Sequence, residues 1–213
     1  MADTCGGGAD RRKKEGSAAE PCRLTKVSFG LILLMVSKRA YLAIDGPTVI
    51  DFLHDELWPF HAGPVVTRAE AVEHFDRATY ASDSVETWWL DLDETVIGLV
   101  RLFDLCDDTA MFDVRLRQAN RGCGVGTSTV RWLTEHIFSH RECTRIEATT
   151  RADNIAMRRT LLRCGYVKEA HYRASWPAQD GSKIYDAVGY AILEEDWRHG
   201  TVTPVEWNDE SSL

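Results

Sequence analysis

Hydrophobic and polar positions change their spacing several times along the chain, and each change marks an element. Alternation over 38–44 predicts a strand, Pro47 suits the start of a helix over 48–57, and the aromatic loop WPFHAGP follows at 58–64. Thr67 and Glu70 have the spacing of a capping box, which opens a second helix over 69–80. Next come VETWWLDL (85–92), a turn at Asp93 and Glu94, TVIGLVRLFDL (95–105) and MFDVRL (111–116), three β-rich runs that predict a meander. A helix over 126–140 carries one apolar stripe of Val130, Leu133, Ile137 and Phe138. The strand TRIEATT (144–150) leads to a helix capped by Asp153 or Asn154, which buries Met157, Leu161 and Cys164 and stops at Gly165. Two strands, 166–173 and 184–193, join around Asp180 and Gly181. The order β-α-α-β-β-β-α-β-α-β-β has no internal repeat and defines a mixed α/β chain.

Length and composition bound what this chain is. At 213 residues, with 44% hydrophobic and 27% charged positions, it is an ordinary globular sequence able to bury a core. Residues 1–34 lack periodicity and read as a disordered or non-native extension, 35–200 as the folded domain and 201–213 as a tail. A net charge of -8 argues against nucleic acid and favours a cationic partner. The apolar run Val27 to Val36 is far below the ~20 residues of a membrane span, so no membrane association is expected. Six cysteines form no CxxC pair and none lies beside a His at ligand spacing, which predicts reduced thiols, no metal and a cytoplasmic location.

Chemistry concentrates in Arg121-Gly122-Cys123-Gly124-Val125-Gly126-Thr127, between a predicted strand and a predicted helix. Glycine at every second position lets successive backbone N–H groups converge, and the helix adds its positive end, so the loop suits an anion such as a pyrophosphate. A P-loop would need Gly-Lys-Ser/Thr, which is absent, and a dinucleotide fingerprint would need a third glycine where Thr127 stands. Glu147 lies at a suitable distance for a ribose-binding acid, so a dinucleotide-binding oxidoreductase stays open.

Arg121-x-x-Gly124-x-Gly126 resembles the acetyl-CoA pyrophosphate motif of the GNAT superfamily of N-acetyltransferases. Asn154-x-Ala156, Gly165-Tyr166, Glu169, Arg173, Asp186, Tyr190-x-Ile192-Leu193 and Asp196-Trp197 are similar to a run in its branch of ribosomal-protein N-terminal and small-molecule acetyltransferases. The resemblance covers about 38–197. It implies a mostly antiparallel sheet splayed at the fourth and fifth strands, flanked by helices, with acetyl-CoA as cosubstrate and direct attack of a primary amine on the thioester. Cofactor contacts then fall on Leu116, Arg121, Gly122, Cys123, Gly124, Val125, Gly126, Thr127 and Asn154. Cys123 need not be a nucleophile, and Asn154 can cap a helix while meeting the pantetheine.

Two positions depart from the family pattern. Leu161 stands where many members carry an acidic Tyr, and Met157 where another branch carries Ser, so no general acid carries over. Glu169 is the first candidate base and His171 the second, with a structural ion pair between Glu169 and Arg173 as the competing role. Asp186 and Tyr190 read as structural or substrate-shaping. Trp58, Phe60 and His61, in the loop that joins the two helices roofing the acceptor cleft in the family, are candidate substrate contacts, and of Trp88 and Trp89 one should face the core. The expected activity is acetyl transfer to a small cationic amine or a protein N-terminus, with a homodimer as the assembly considered. A noncatalytic acyl-CoA sensor is the alternative from another class.

Overall fold

A computed structural model describes residues 36–61, 67–76, 79–178 and 181–207. The expectation for 1–34 lies outside the described residues, as does that for the end of the tail.

Seven strands form one sheet in the order β1-β2-β3-β4-β5-β7-β6: β1 Ser37–Ala40, β2 Glu86–Leu92, β3 Thr95–Phe103, β4 Thr109–Leu116, β5 Arg145–Arg151, β6 Val167–Pro177 and β7 Ile184–Leu193. Among the described residues five α-helices surround it: α1 Gly46–His54, α2 Arg68–Asp76, α3 Val125–His140, α4 Ile155–Arg163 and the short α5 Glu194–His199. Every pairing is antiparallel except β4 with β5. The expected meander is β2-β3-β4. Its first turn holds Asp93 and Glu94 at φ 49 and 62, the paired left-handed conformations that match the twist of a two-residue hairpin.

Period two sorts the strand residues onto two faces, and each face has its own core. On one, Leu90, Val100, Leu102, Ile146 and Ile192 pack against Val130, Leu133 and Ile137 of α3 and Leu161 of α4. On the other, Trp89 and Leu99 meet Val49, Phe52 and Leu53, which stand at i, i+3 and i+4 on α1. Removing each such aliphatic side chain from water contributes roughly 1.5–3 kcal/mol. The two adjacent tryptophans take opposite faces: Trp89 is buried under α1, and Trp88 stacks edge-on with Trp132 of α3 at 5.3 Å.

Local boundaries differ from the sequence pattern where a side chain captures backbone. β1 ends at Ala40 rather than 44, because the buried Asp45 carboxylate accepts from Leu42 N–H (2.8 Å), the Trp89 indole (3.1 Å) and Arg39 (3.1 Å), which folds 43–45 into a 3-10 turn. Burial alone would raise the Asp45 pKa, but these donors outweigh it and hold it low. The capping box of α2 is present, with Thr67 N–H donating to Glu70 at 2.7 Å and Glu70 N–H to the Thr67 hydroxyl at 3.2 Å. β6 continues to Pro177 through two bulges, the second carrying Ala174 at φ 47, where its N–H donates to Asp186 at 2.8 Å. Gly165 at φ 88 ends α4 as expected.

Candidate active site

β4 and β5 are paired over only three positions, Thr109 to Met111 against Arg145 to Glu147. Beyond them the strands separate, so Phe112 to Leu116 keeps β3 as its sole sheet neighbour. A cavity of about 430 Å³ opens in the gap. Phe112, Ala148, Met157 and Leu161 line it on the side of α3 and α4; Phe60, His61, Arg101, Asp113 and Arg115 line it on the α1 side. A volume of this size falls within the usual range for small-ligand sites.

The glycine loop leaves the end of β4 and enters α3. Cys123 and Val125 turn inward and are buried, while Gly122 and Gly124, which alternate with them, are exposed, with φ of 77 and 83. The first backbone bond of α3 runs from Ser128 N–H to the Gly124 carbonyl, at 3.1 Å. The N–H groups of Val125, Gly126 and Thr127 therefore start the helix without an intrahelical acceptor, at its positive end. Leu116 closes the gap between strand and loop. A Cβ on Gly126 would meet Leu116 at an ordinary 3.6 Å, whereas one on Gly98 would come within 2.8 Å of the Arg115 carbonyl, so β3 needs glycine there.

Arg121, expected among the cofactor contacts, spends its guanidinium on protein. Nε donates to the Leu116 carbonyl at 2.7 Å, Nη2 to the Leu57 carbonyl at 3.2 Å, and the group lies 5.7 Å from the Trp58 ring. Desolvation lowers its pKa, with Glu56 opposing. It acts as a clasp between the end of β4 and the loop after α1. Asn154 lines the cavity and caps α4, accepting from Met157 N–H at 3.2 Å and donating to Thr150 at 2.9 Å.

The residues expected to meet the acceptor or to catalyse divide. Trp58 is not a lining residue: it is buried, its indole donating to the Leu53 carbonyl at 2.9 Å, with Arg115 5.5 Å from its ring. Phe60 and His61 do line the cavity. Glu169 and His171 do not. Glu169 sits on the edge strand β6 in an ion pair with Arg145 at 2.7 Å, and Arg145 also holds Glu147; the partner is not Arg173. His171 pairs with Asp186 at 2.8 Å, both well exposed. Asp186 thus serves the β6 bulge, and Tyr190 is buried with its hydroxyl accepting from Arg158.

The titratable pair that does reach the cavity joins His61 to Asp113 of β4. His61 Nε2 lies 2.9 Å from one Asp113 oxygen, and Arg115 Nε lies 3.0 Å from the other. Burial opposes ionisation of Asp113, but the neighbouring His61 and Arg115 outweigh it and hold the carboxyl far below the usual carboxylate range. With Nε2–H donated to this anion, neutral His61 carries its lone pair on Nδ1, which is buried and without a partner among the described residues. Asp113 and Arg115 were legible in principle, since charged residues at period two on a central strand need a reason to face inward.

Comparison with known proteins agrees with this architecture. Residues 40–167, more than half of the chain, match the family described as the acetyltransferase (GNAT) domain, and the chain belongs to that family. Among solved structures, a chimera of the Vibrio cholerae spermidine N-acetyltransferase SpeG with hSSAT shares 18% identity and a TM-score of 0.67, covering 77% of this chain and 98% of that one. Vibrio cholerae spermidine N-acetyltransferase in complex with CoA and spermine gives 16%, 0.66, 78% and 99%. RimL, a ribosomal L7/L12 alpha-N-protein acetyltransferase in complex with coenzyme A, gives 15%, 0.65, 75% and 94%. No curated protein matches the chain.

Proposed function

We propose that the protein is an acetyl-CoA-dependent N-acetyltransferase acting on a primary amine. The observation that carries this reading is the convergence of the strand gap, the glycine loop and the His61–Asp113 pair on one cavity. Acetyl-CoA supplies an activated acyl group open to direct attack by the amine. The N–H groups of Gly124 to Thr127 would hold its diphosphate, and Asn154 with the unpaired stretch of β4 its pantetheine arm. A backbone N–H of that stretch faces the charge that grows on the thioester oxygen. Asp113 orients the imidazole, and His61 Nδ1 takes the proton that the attacking amine must lose. Glu169 is committed to Arg145 and gives way to His61 in this scheme. A supply of acetyl-CoA makes the cytoplasm the expected location.

Leu161, fully buried at the family's acid position, favours a second reading in which the protein binds acyl-CoA without turnover. Ligand stabilisation tests the shared part. At a hundredfold excess over its dissociation constant, acetyl-CoA should add about 2.7 kcal/mol, and NAD and ATP should add none. Equal stabilisation by all three would remove the acyl-CoA assignment.

A further inference from the structure

The acceptor side of the cavity holds more positive charge than its own carboxylates use. Arg101 of β3 stands directly opposite Asp113 of β4, and Arg115 is its diagonal neighbour, opposite Leu99. Diagonal positions on one face lie about 7–8 Å apart, within reach of long side chains. Asp113 is occupied by His61 and Arg115. Glu70, the other acid among the described lining residues, turns to the Thr67 N–H and hydroxyl. Arg101 is left with a ring contact, 5.1 Å from Phe103, and has neither a carboxylate nor a carbonyl acceptor among the described residues; its Nε is buried and unpaired. Arg115 Nη1 is also buried and unpaired, and so is the hydroxyl of Thr87, which faces Arg101 across β2. Tyr80, buried above them, feels both guanidinium groups, although burial keeps its pKa raised.

A half-buried guanidinium with no anion costs desolvation that nothing among the described residues offsets. Arg101 is such a group, and Arg115, which is paired with Asp113 but keeps Nη1 unused, stands beside it on the same wall; together they form a receptor for a planar anion, and the guanidinium fork matches a carboxylate in two parallel hydrogen bonds. We propose that the acceptor is a small amine that also carries a carboxylate, an amino acid or close analogue, and that Arg101 with Arg115 binds that carboxylate. This rests on the acetyltransferase reading above and names its substrate class. The geometry agrees with the chemistry: a carboxylate at Arg101 lies in the same cross-strand row as Asp113, so an amine one carbon away comes beside His61. The row is three residues from Leu116, about 10 Å along the strand from the start of the glycine loop, which separates this anion site from the diphosphate site. A polyamine such as spermidine would bring further positive charge against Arg101.

The test uses the full chain saturated with CoA for binding and with acetyl-CoA for turnover. The probes are the common L-amino acids, their α-carboxamides, the matching decarboxylated amines and spermidine, each titrated calorimetrically and each assayed for thioester loss. At least one amino acid should bind and react about 100-fold better than its carboxamide, the usual weight of a lost charged hydrogen-bond pair. Arg101→Ala should erase that preference in both readouts while the affinity for CoA stays unchanged; Arg101→Lys, which keeps the charge in the same space, should restore part of it. Equal rates on acid and amide, or turnover confined to amines without a carboxylate, would overturn the carboxylate assignment and leave acetyl transfer standing. CoA binding with no turnover and no binding of any amine would overturn both.

Discussion

Glu86 at the start of β2 joins the sheet to the end of α3, and its removal has a predictable pH signature. Its carboxylate accepts from His136 Nε2 at 2.8 Å and the Trp88 indole at 3.1 Å, and is paired with Arg141. His136 stacks between Trp132 and His140 on α3, so the groups facing Glu86 are fixed by packing. The hydrogen bond from His136 is the largest influence, burial opposes it, Arg141 and Trp88 add to it, and the pKa falls from 4.5 to about 2. That drop of about two and a half pH units corresponds to roughly 3 kcal/mol as an upper figure, at ~1.4 kcal/mol per unit. Because the folded value is the lower one, the stabilisation is complete above about pH 4.5 and fades as pH falls toward 2. Glu86→Gln should therefore cost about 2–3 kcal/mol at pH 7, a Tm loss of roughly 4–12 °C for a chain of this length. Urea unfolding of both proteins at pH 7, 5, 4 and 3, on the order of four titration points, checks it. The wild type should lose stability to acid and the variant should lose less, so that the two curves converge. Parallel curves would show that Glu86 is not an anion held by these partners.

Other substitutions separate the roles of neighbouring residues. Gly124→Val places a β-branched residue at φ 83 in the loop and should abolish CoA binding, whereas Gly126→Ala, whose Cβ meets Leu116 at 3.6 Å, should retain it by calorimetry. Arg121→Ala should cost roughly 1–3 kcal/mol in urea unfolding, because it releases the Leu116 and Leu57 carbonyls, yet change CoA affinity only a few-fold. Ala174→Gly should raise stability by about 0.5–1 kcal/mol, since φ 47 strains any L side chain, with no change in CoA binding.

What the sequence made legible was what neighbours in the chain decide. The stripe Val130, Leu133, Ile137 and Phe138, the Thr67–Glu70 capping box and the Gly165 stop all follow from local spacing, and all appear in the fold. The glycine loop between β4 and α3 was legible for the same reason, because its turn and the helix start need only consecutive residues. Boundaries set by distant partners were not. Glu56 and the Leu57 carbonyl leave α1 to face Gln118 and Arg121, so that helix ends at His54. The short α5 follows β7 without a break, with Asp196 accepting from Thr201 and Thr203 just beyond it. The wall of the cavity on the α1 side is the extreme case. His61, Arg101 and Asp113 come from a loop and two strands, and only the β3–β4 register and the path after α1 bring them together. The ion pair of Glu169 was not legible, because its partner Arg145 lies in another strand, 24 residues earlier.

The rate of acetyl transfer by His61→Gln, measured at neutral pH on an amine the wild type accepts, tests the site most directly. General-base contributions run to ~10²–10⁴, so kcat per folded molecule should fall at least about 100-fold while acetyl-CoA affinity holds, and higher pH should recover part of the loss as free amine arrives unprotonated. Full activity in His61→Gln, at unchanged pH dependence, would contradict the assignment of this cavity and its His61–Asp113 pair as the catalytic centre.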